Sequence, residues 1–173
     1  KSVFDGDGLI IDSSKADCHE IPSELAHELR SSVFLLGSVI SRFRMAKIAY
    51  PGGCDIGLRP VDLHLTGLKR LGVKISEESG YIVCRCEKLK GNEVMLDCPS
   101  VGATENIMLA AVKAEGTTVI RNAAREPEIE DLQKFLNMLG AKVRGAGSGT
   151  VYIEGVKNLG GCSFTPIPDR IEA

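Results

Sequence analysis

The chain has 173 residues, 43% of them hydrophobic, which suits one ordinary domain or part of a larger one. Its 21 Lys and Arg against 23 Asp and Glu leave a formal charge of −2, so composition excludes a general affinity for nucleic acid or an anionic membrane surface. No apolar run approaches the roughly 20 residues that a membrane-spanning helix needs, and residues 1–5 read as an internal position of a longer protein, without a leader. The six cysteines show no zinc-ligand spacing and no small secreted frame, so most are expected as small core residues in a reducing cytosol.

A first strand is predicted over 8–12, after the turn Asp5-Gly6-Asp7-Gly8. That turn imitates the start of a calcium loop, but Leu9 stands where an oxygen ligand is required. Pro22-Ser23-Glu24 opens a helix, and Leu25, Leu29, Val33, Leu36, Ile40 and Phe43 carry its spacing to residue 43. Phe34, Leu35 and Val39 widen the apolar face, so this helix is expected to be buried on most sides. A short strand over 47–50 is broken by Pro51-Gly52-Gly53, and a helix over 60–71 stops at Gly72. Strands over 73–76 and 81–86 follow. Further along, the reading gives a strand over 93–97, a helix over 104–114 and a strand over 117–121. A helix over 128–139 and strands over 141–144 and 150–154 complete it, the last two joined by the flexible hairpin turn Gly145-Ala146-Gly147-Ser148-Gly149.

An internal repeat underlies this order. Leu71-Gly72-Val73-Lys74-Ile75 matches Leu139-Gly140-Ala141-Lys142-Val143 at an offset of 139 − 71 = 68 residues. Helix, strand, helix and two strands thus occur twice, an α/β chain without linker or low-complexity tract.

The chemistry concentrates in Pro51-Gly52-Gly53-Cys54-Asp55-Ile56-Gly57-Leu58-Arg59-Pro60-Val61-Asp62-Leu63-His64. Glycines around Cys54 give a loop, and Arg59 stands at a helix start, where a guanidinium and free backbone N–H groups attract an anion. A thiol near that potential can become reactive. The same composition also fits a glycine-rich connection with an incidental cysteine. His64 lacks partner ligands and is expected to pack or bond locally. Pro99-Ser100-Val101-Gly102-Ala103-Thr104-Glu105-Asn106 is a second strand-to-helix turn able to hold a phosphate, although a serine before a helix is more often a cap. Arg30, inside the long helix, reads from its surroundings as a solvent-reaching side chain.

The loop around Cys54 closely resembles that of the UDP-N-acetylglucosamine 1-carboxyvinyltransferase family. Ser100 to Met108, Ala114-Glu115-Gly116-Thr117-Thr118-Val119-Ile120, the run from Asn122 to Ile129, and Ile167-Pro168-Asp169-Arg170-Ile171-Glu172 look like the same family. The resemblance implies an inside-out α/β barrel of repeated βαβαββ units. The chain would be a partial catalytic domain over 1–173 with about two of three units, roughly 20–88 and 92–156, and with an N-terminal segment and a second domain absent. It further implies transfer of enolpyruvate from phosphoenolpyruvate to the 3-hydroxyl of UDP-N-acetylglucosamine, with release of phosphate and no cofactor or metal. By the motif, Cys54 is the catalytic proton donor and the site of fosfomycin alkylation. Arg30, Arg59, Pro60, Val61, Asp62, Leu63, Ser100, Val101 and Gly102 match substrate-binding positions. Gly37-Ser38 stands where the family usually has Gly-Pro, and Cys98 where some members carry lysine. The general base and a phosphoenolpyruvate-binding Lys-Asn pair of the family fall outside the chain, so it is expected to be inactive alone. A cytoplasmic setting and self-association through exposed apolar edges are also expected. Two alternatives stay open: a related enolpyruvylshikimate phosphate synthase, which shares fold and chemistry but uses no loop cysteine, and a non-catalytic binding module on the same fold.

Overall fold

The computed structural model describes residues 2–28, 30–49 and 61–171, with backbone alone at His27 and Arg30. Strands β1 (Ser2–Asp5) and β2 (Gly8–Ile11) form a hairpin in which Asp5 pairs with Gly8 and Ser2 with Ile11. Its two-residue loop puts Gly6 at φ +58°, a conformation that side-chain-bearing residues rarely adopt. The sequence reading anticipated β2 and missed its partner β1.

Two four-stranded sheets follow, built alike. The first holds β3 (Glu20–Ile21), β4 (Met45–Ala49), β5 (Lys74–Glu78) and β6 (Tyr81–Arg85) in the order β3-β4-β6-β5. The second holds β7 (Glu93–Met95), β8 (Thr117–Arg121), β9 (Lys142–Arg144) and β10 (Thr150–Glu154) in the order β7-β8-β10-β9. In each, the first strand runs parallel to the second, and the last two close an antiparallel hairpin beside it. The parallel pair needs a helical crossover. In the second sheet this is α4 (Val101–Ala111), and in the first it is α1 (Ser23–Glu28), a 3-10 turn (Arg30–Phe34) and α2 (Leu35–Phe43). Helices α3 (Asp62–Arg70) and α5 (Pro127–Met138) then lead into the hairpins. Gly72 and Gly140 follow them at φ +89° and +97°, so the repeated Leu-Gly pair marks the same left-handed helix stop twice. The reading with 68-residue spacing matches these elements. The hairpin turn 145–149 forms as expected, with Ser148 N donating to Gly145 O.

Helix α4 lies at the centre of the core. Ala103, Ile107, Met108, Ala110 and Ala111 are fully buried, and the helix packs on α2, α3, α5, β8 and β10. Burial on most sides therefore belongs to α4, whereas α2 exposes Leu35. The single helix expected over 22–43 is also corrected. In an uninterrupted helix the Gly37 N–H would donate to the Val33 carbonyl four residues back. Here the side chain of Asn106 enters that gap: Gly37 N donates to Asn106 Oδ1 at 2.6 Å, and Asn106 Nδ2 donates to Val33 O at 3.1 Å. Insertion of a polar side chain into the ladder is a recognised cause of a helix break. Glycine permits the approach, since a Cβ at Gly37 would stand 2.1 Å from the Asn106 carbonyl oxygen.

The cysteines depart from expectation. Among the described residues Cys84 is buried and Cys86 half-buried, while Cys18, Cys98 and Cys162 are exposed. No helix among the described residues is long and apolar enough to cross a membrane.

Candidate functional site

The N-terminal ends of α3 and α4 adjoin. At α3, Val61 occupies the cap position and is half-buried, Asp62 is exposed in the first turn, and Leu63 packs against the core. At α4, Ser100 is extended (φ −143°) and accepts from Ala103 N at 3.3 Å through its Oγ. Ser100 is thus the cap that a serine in this position suggests, and α4 begins at Val101 rather than near residue 104. Val101 and Gly102 fall in the first turn. By helix geometry, the N–H groups of Asp62, Leu63, Val101 and Gly102 have no acceptor within their own helices. Two positive helix ends side by side favour an anion between them.

A compact joint holds these ends together. Phe34, the last residue of the 3-10 turn, meets His64 edge-on with ring centroids 5.5 Å apart at 75°. Gly102 lies beneath both rings: a Cβ there would stand 2.3 Å and 2.5 Å from Phe34 ring carbons and 3.2 Å from His64 Cε1. The absence of a side chain at Gly102 is therefore what lets α4 close on α3. Asn106, one turn further along α4 and fully buried, places its Nδ2 3.0 Å from His64 Nδ1.

The direction of that bond follows from the rest of the network. Asn106 Oδ1 is fixed by the Gly37 N–H and Nδ2 by the Val33 carbonyl. Nδ2 is a donor only, so His64 Nδ1 must accept and the ring proton resides on Nε2. Burial pushes the His64 pKa down to about 4, and the imidazole is neutral at physiological pH. His64 thus packs and bonds locally, as its sequence surroundings suggested. Among the described residues, no group of three His, Cys, Asp or Glu side chains is placed to hold a metal ion.

Of the residues singled out in the sequence, Val61, Asp62 and Leu63 open α3 and Ser100, Val101 and Gly102 open α4, and the two helix ends meet through His64, Phe34 and Gly102. The backbone of Arg30 opens the 3-10 turn that ends at Phe34. Cys54, Arg59 and Pro60 lie outside the described residues. The sequence reading did not single out Phe34 or Asn106 individually. A signal for Asn106 existed: an amide amid the apolar run Ile107-Met108-Leu109-Ala110 must satisfy its polar atoms inside the core. After β10, the chain crosses α5, with Phe164 against Phe135 (5.3 Å), Ile167 N donating to Asp131 Oδ2 at 3.2 Å, and Arg170 Nε to Glu128 Oε1 at 2.9 Å.

Comparison with known proteins matches residues 4–173 to the family model of EPSP synthase (3-phosphoshikimate 1-carboxyvinyltransferase). The chain is 58% identical over all 173 residues to UDP-N-acetylglucosamine 1-carboxyvinyltransferase 2 of Caldanaerobacter subterraneus subsp. tengcongensis, covering 42% of that protein. It is 56% identical over 169 residues to the enzyme of the same name from Clostridium tetani, covering 98% of this chain and 40% of that protein. The chain therefore spans about two fifths of the length of these curated relatives. Among solved structures, the enolpyruvyl transferase NikO from Streptomyces tendae superimposes with a TM-score of 0.82 at 26% identity, covering 99% of this chain and 41% of NikO. EPSP synthase from Acinetobacter baumannii has a TM-score of 0.59 at 23% identity over 76% of this chain and 30% of its own, a likeness of fold.

Proposed function

The chain belongs to the EPSP synthase (3-phosphoshikimate 1-carboxyvinyltransferase) family, and from that footing we propose that it is part of an enzyme making the enolpyruvyl ether of UDP-N-acetylglucosamine. Enolpyruvate moves from phosphoenolpyruvate to the 3-hydroxyl of the nucleotide sugar, and phosphate leaves, the first committed step of peptidoglycan synthesis. The carrying observation is the 58% identity, along the whole chain, to a relative named for that reaction.

The residues support the reading in a consistent way. Both substrates are anionic, one a carboxylate phosphate and the other a diphosphate. The adjoining ends of α3 and α4 supply fixed backbone donors and aligned dipoles at no reorganisation cost. Arg59 adds guanidinium charge for phosphoenolpyruvate, and Arg30 is a second arginine that contacts substrate. By the family motif, Arg59, Pro60, Val61, Asp62 and Leu63 serve the nucleotide sugar, and Ser100, Val101 and Gly102 its uridine diphosphate. Cys54 gives a proton to the phosphoenolpyruvate methylene while the sugar hydroxyl adds to the adjacent carbon. Because the product keeps its double bond, a methyl proton must leave again as phosphate departs.

On this reading residues 1–173 form part of the catalytic domain, with roughly 20–88 and 92–156 as two of three βαβαββ units, and are inactive alone. The enzyme serves cell-wall biogenesis, and through it cell shape and division, in the cytoplasm. Self-association of the isolated chain is supported by the exposed Val3, Phe4, Leu9, Ile10 and Ile11 of the β1–β2 hairpin.

Mass spectrometry of the complete protein after fosfomycin, paired with a turnover assay on either acceptor, tests the proposal. An adduct on Cys54 and turnover of UDP-N-acetylglucosamine are expected. Turnover of shikimate 3-phosphate with an unmodified Cys54 would overturn it.

A further inference from the structure

Asn106 is not among the residues that the family motif assigns to substrate, yet its side chain bonds to two other elements that carry candidate contacts. Its Oδ1 accepts from Gly37 N of α2 at 2.6 Å, and its Nδ2 donates to Val33 O of the 3-10 turn at 3.1 Å. The remaining Nδ2 proton points to His64 Nδ1 of α3 at 3.0 Å. The donor capacity of the amide is used completely, and each bond goes to a different segment. Arg30 opens the turn that holds Val33. Val61, Asp62 and Leu63 directly precede His64. Ser100, Val101 and Gly102 open the helix that carries Asn106 itself.

We propose that Asn106, acting with His64, is the positioning residue that sets the three substrate-facing segments in register, by breaking the helix before α2 and pinning α3 to α4. The inference rests on the transferase reading of this site. Without the amide, the Gly37 N–H and the Val33 carbonyl can bond to each other again, which continues the helix and turns the Arg30 end of the 3-10 segment. Without the imidazole acceptor, the Asn106 bond to α3 is lost and the two helix ends are free to separate beside Gly102. Placement of binding groups within a fraction of an ångström governs substrate affinity steeply.

The test uses the complete protein that carries this chain, with kcat, the KM for each substrate and the melting temperature measured for four variants. Asn106→Leu and His64→Leu are expected to raise KM for UDP-N-acetylglucosamine by about tenfold or more, with a much smaller change in kcat, as loss of uniform binding predicts. In His64→Asn the side-chain Oδ1 can take the place of Nδ1 as acceptor, and KM should return to within about threefold of the parent. Asn106→Asp keeps the acceptor for Gly37 and loses the donors to Val33 and His64, so it should behave like Asn106→Leu. If Asn106→Leu does not fold, His64→Leu carries the same comparison, because it leaves the bonds to Val33 and Gly37 in place. Variants that melt earlier but keep the parental KM would overturn the proposal in favour of a purely structural network. A parent protein that transfers enolpyruvate to neither acceptor would instead overturn the transferase reading, and the substrate role of Asn106 with it.

Discussion

Acid should destabilise this fold through His64, by an amount that the structure allows to be worked out. The ring is buried and neutral, its pKa lowered to about 4 from an ordinary 6.5, because burial disfavours the charged form. An unfolded chain takes up the proton near pH 6.5, so between pH 6.5 and 4 the unfolded state binds more protons than the folded one. The stability from a neutral His64 is therefore complete above pH 6.5, declines as the pH falls, and has no more to lose below about 4. Integrated over that window, the loss is about 2 kcal/mol at pH 5 and about 3 kcal/mol at pH 4. Urea unfolding of the parent and of His64→Asn, measured side by side from pH 7.5 to 4, isolates this contribution, because His19, His27 and the carboxylates cancel in the difference. The two stability curves should diverge progressively below pH 6.5. Parallel curves would show that His64 titrates normally in the folded protein and would refute the acceptor geometry assigned to its Nδ1.

Gly37→Ala drives a methyl group to within 2.1 Å of the Asn106 carbonyl oxygen and should destabilise by about 1–3 kcal/mol in thermal or urea unfolding. Thr104→Val removes the Oγ1 that accepts from Ala124 N at 3.1 Å in the core, and leaving that N–H unpaired should cost about 1–3 kcal/mol. Ser100→Ala deletes the cap of α4 and should cost about 1 kcal/mol, read in the same assay. Brief alkylation at pH 8 with peptide mapping should modify the exposed Cys18, Cys98 and Cys162 and spare Cys84, whose thiol is pushed up to about 11 by burial.

How far the sequence could be read depends on the range of the interactions concerned. Apart from β3, which the sequence reading missed, the strands of the two similar sheets, the 68-residue spacing of Leu71-Gly72 and Leu139-Gly140, and the cap at Ser100 all follow from neighbours within a few residues. Local propensity and turn chemistry are enough to signal them. The loop around Cys54 was legible for another reason, since it is a long and specific string of residue types rather than a short motif. Burial could not be read so directly. Cys18, Cys98 and Cys162 belong to a residue type usually found inside proteins, yet among the described residues they are exposed.

The sequence by itself determined the alternation of strand and helix, the doubled unit and the family, because each is written in short-range pattern or in long specific strings of residues. Only the tertiary structure decided where the helix before α2 breaks and how the candidate substrate-binding turns meet. Both depend on one amide, Asn106, that bonds to residues 42, 69 and 73 positions away. The apolar spacing from Leu25 to Phe43 runs straight through the break. A hydrogen bond from a residue far along the chain can replace a ladder bond without altering the hydrophobic pattern around it.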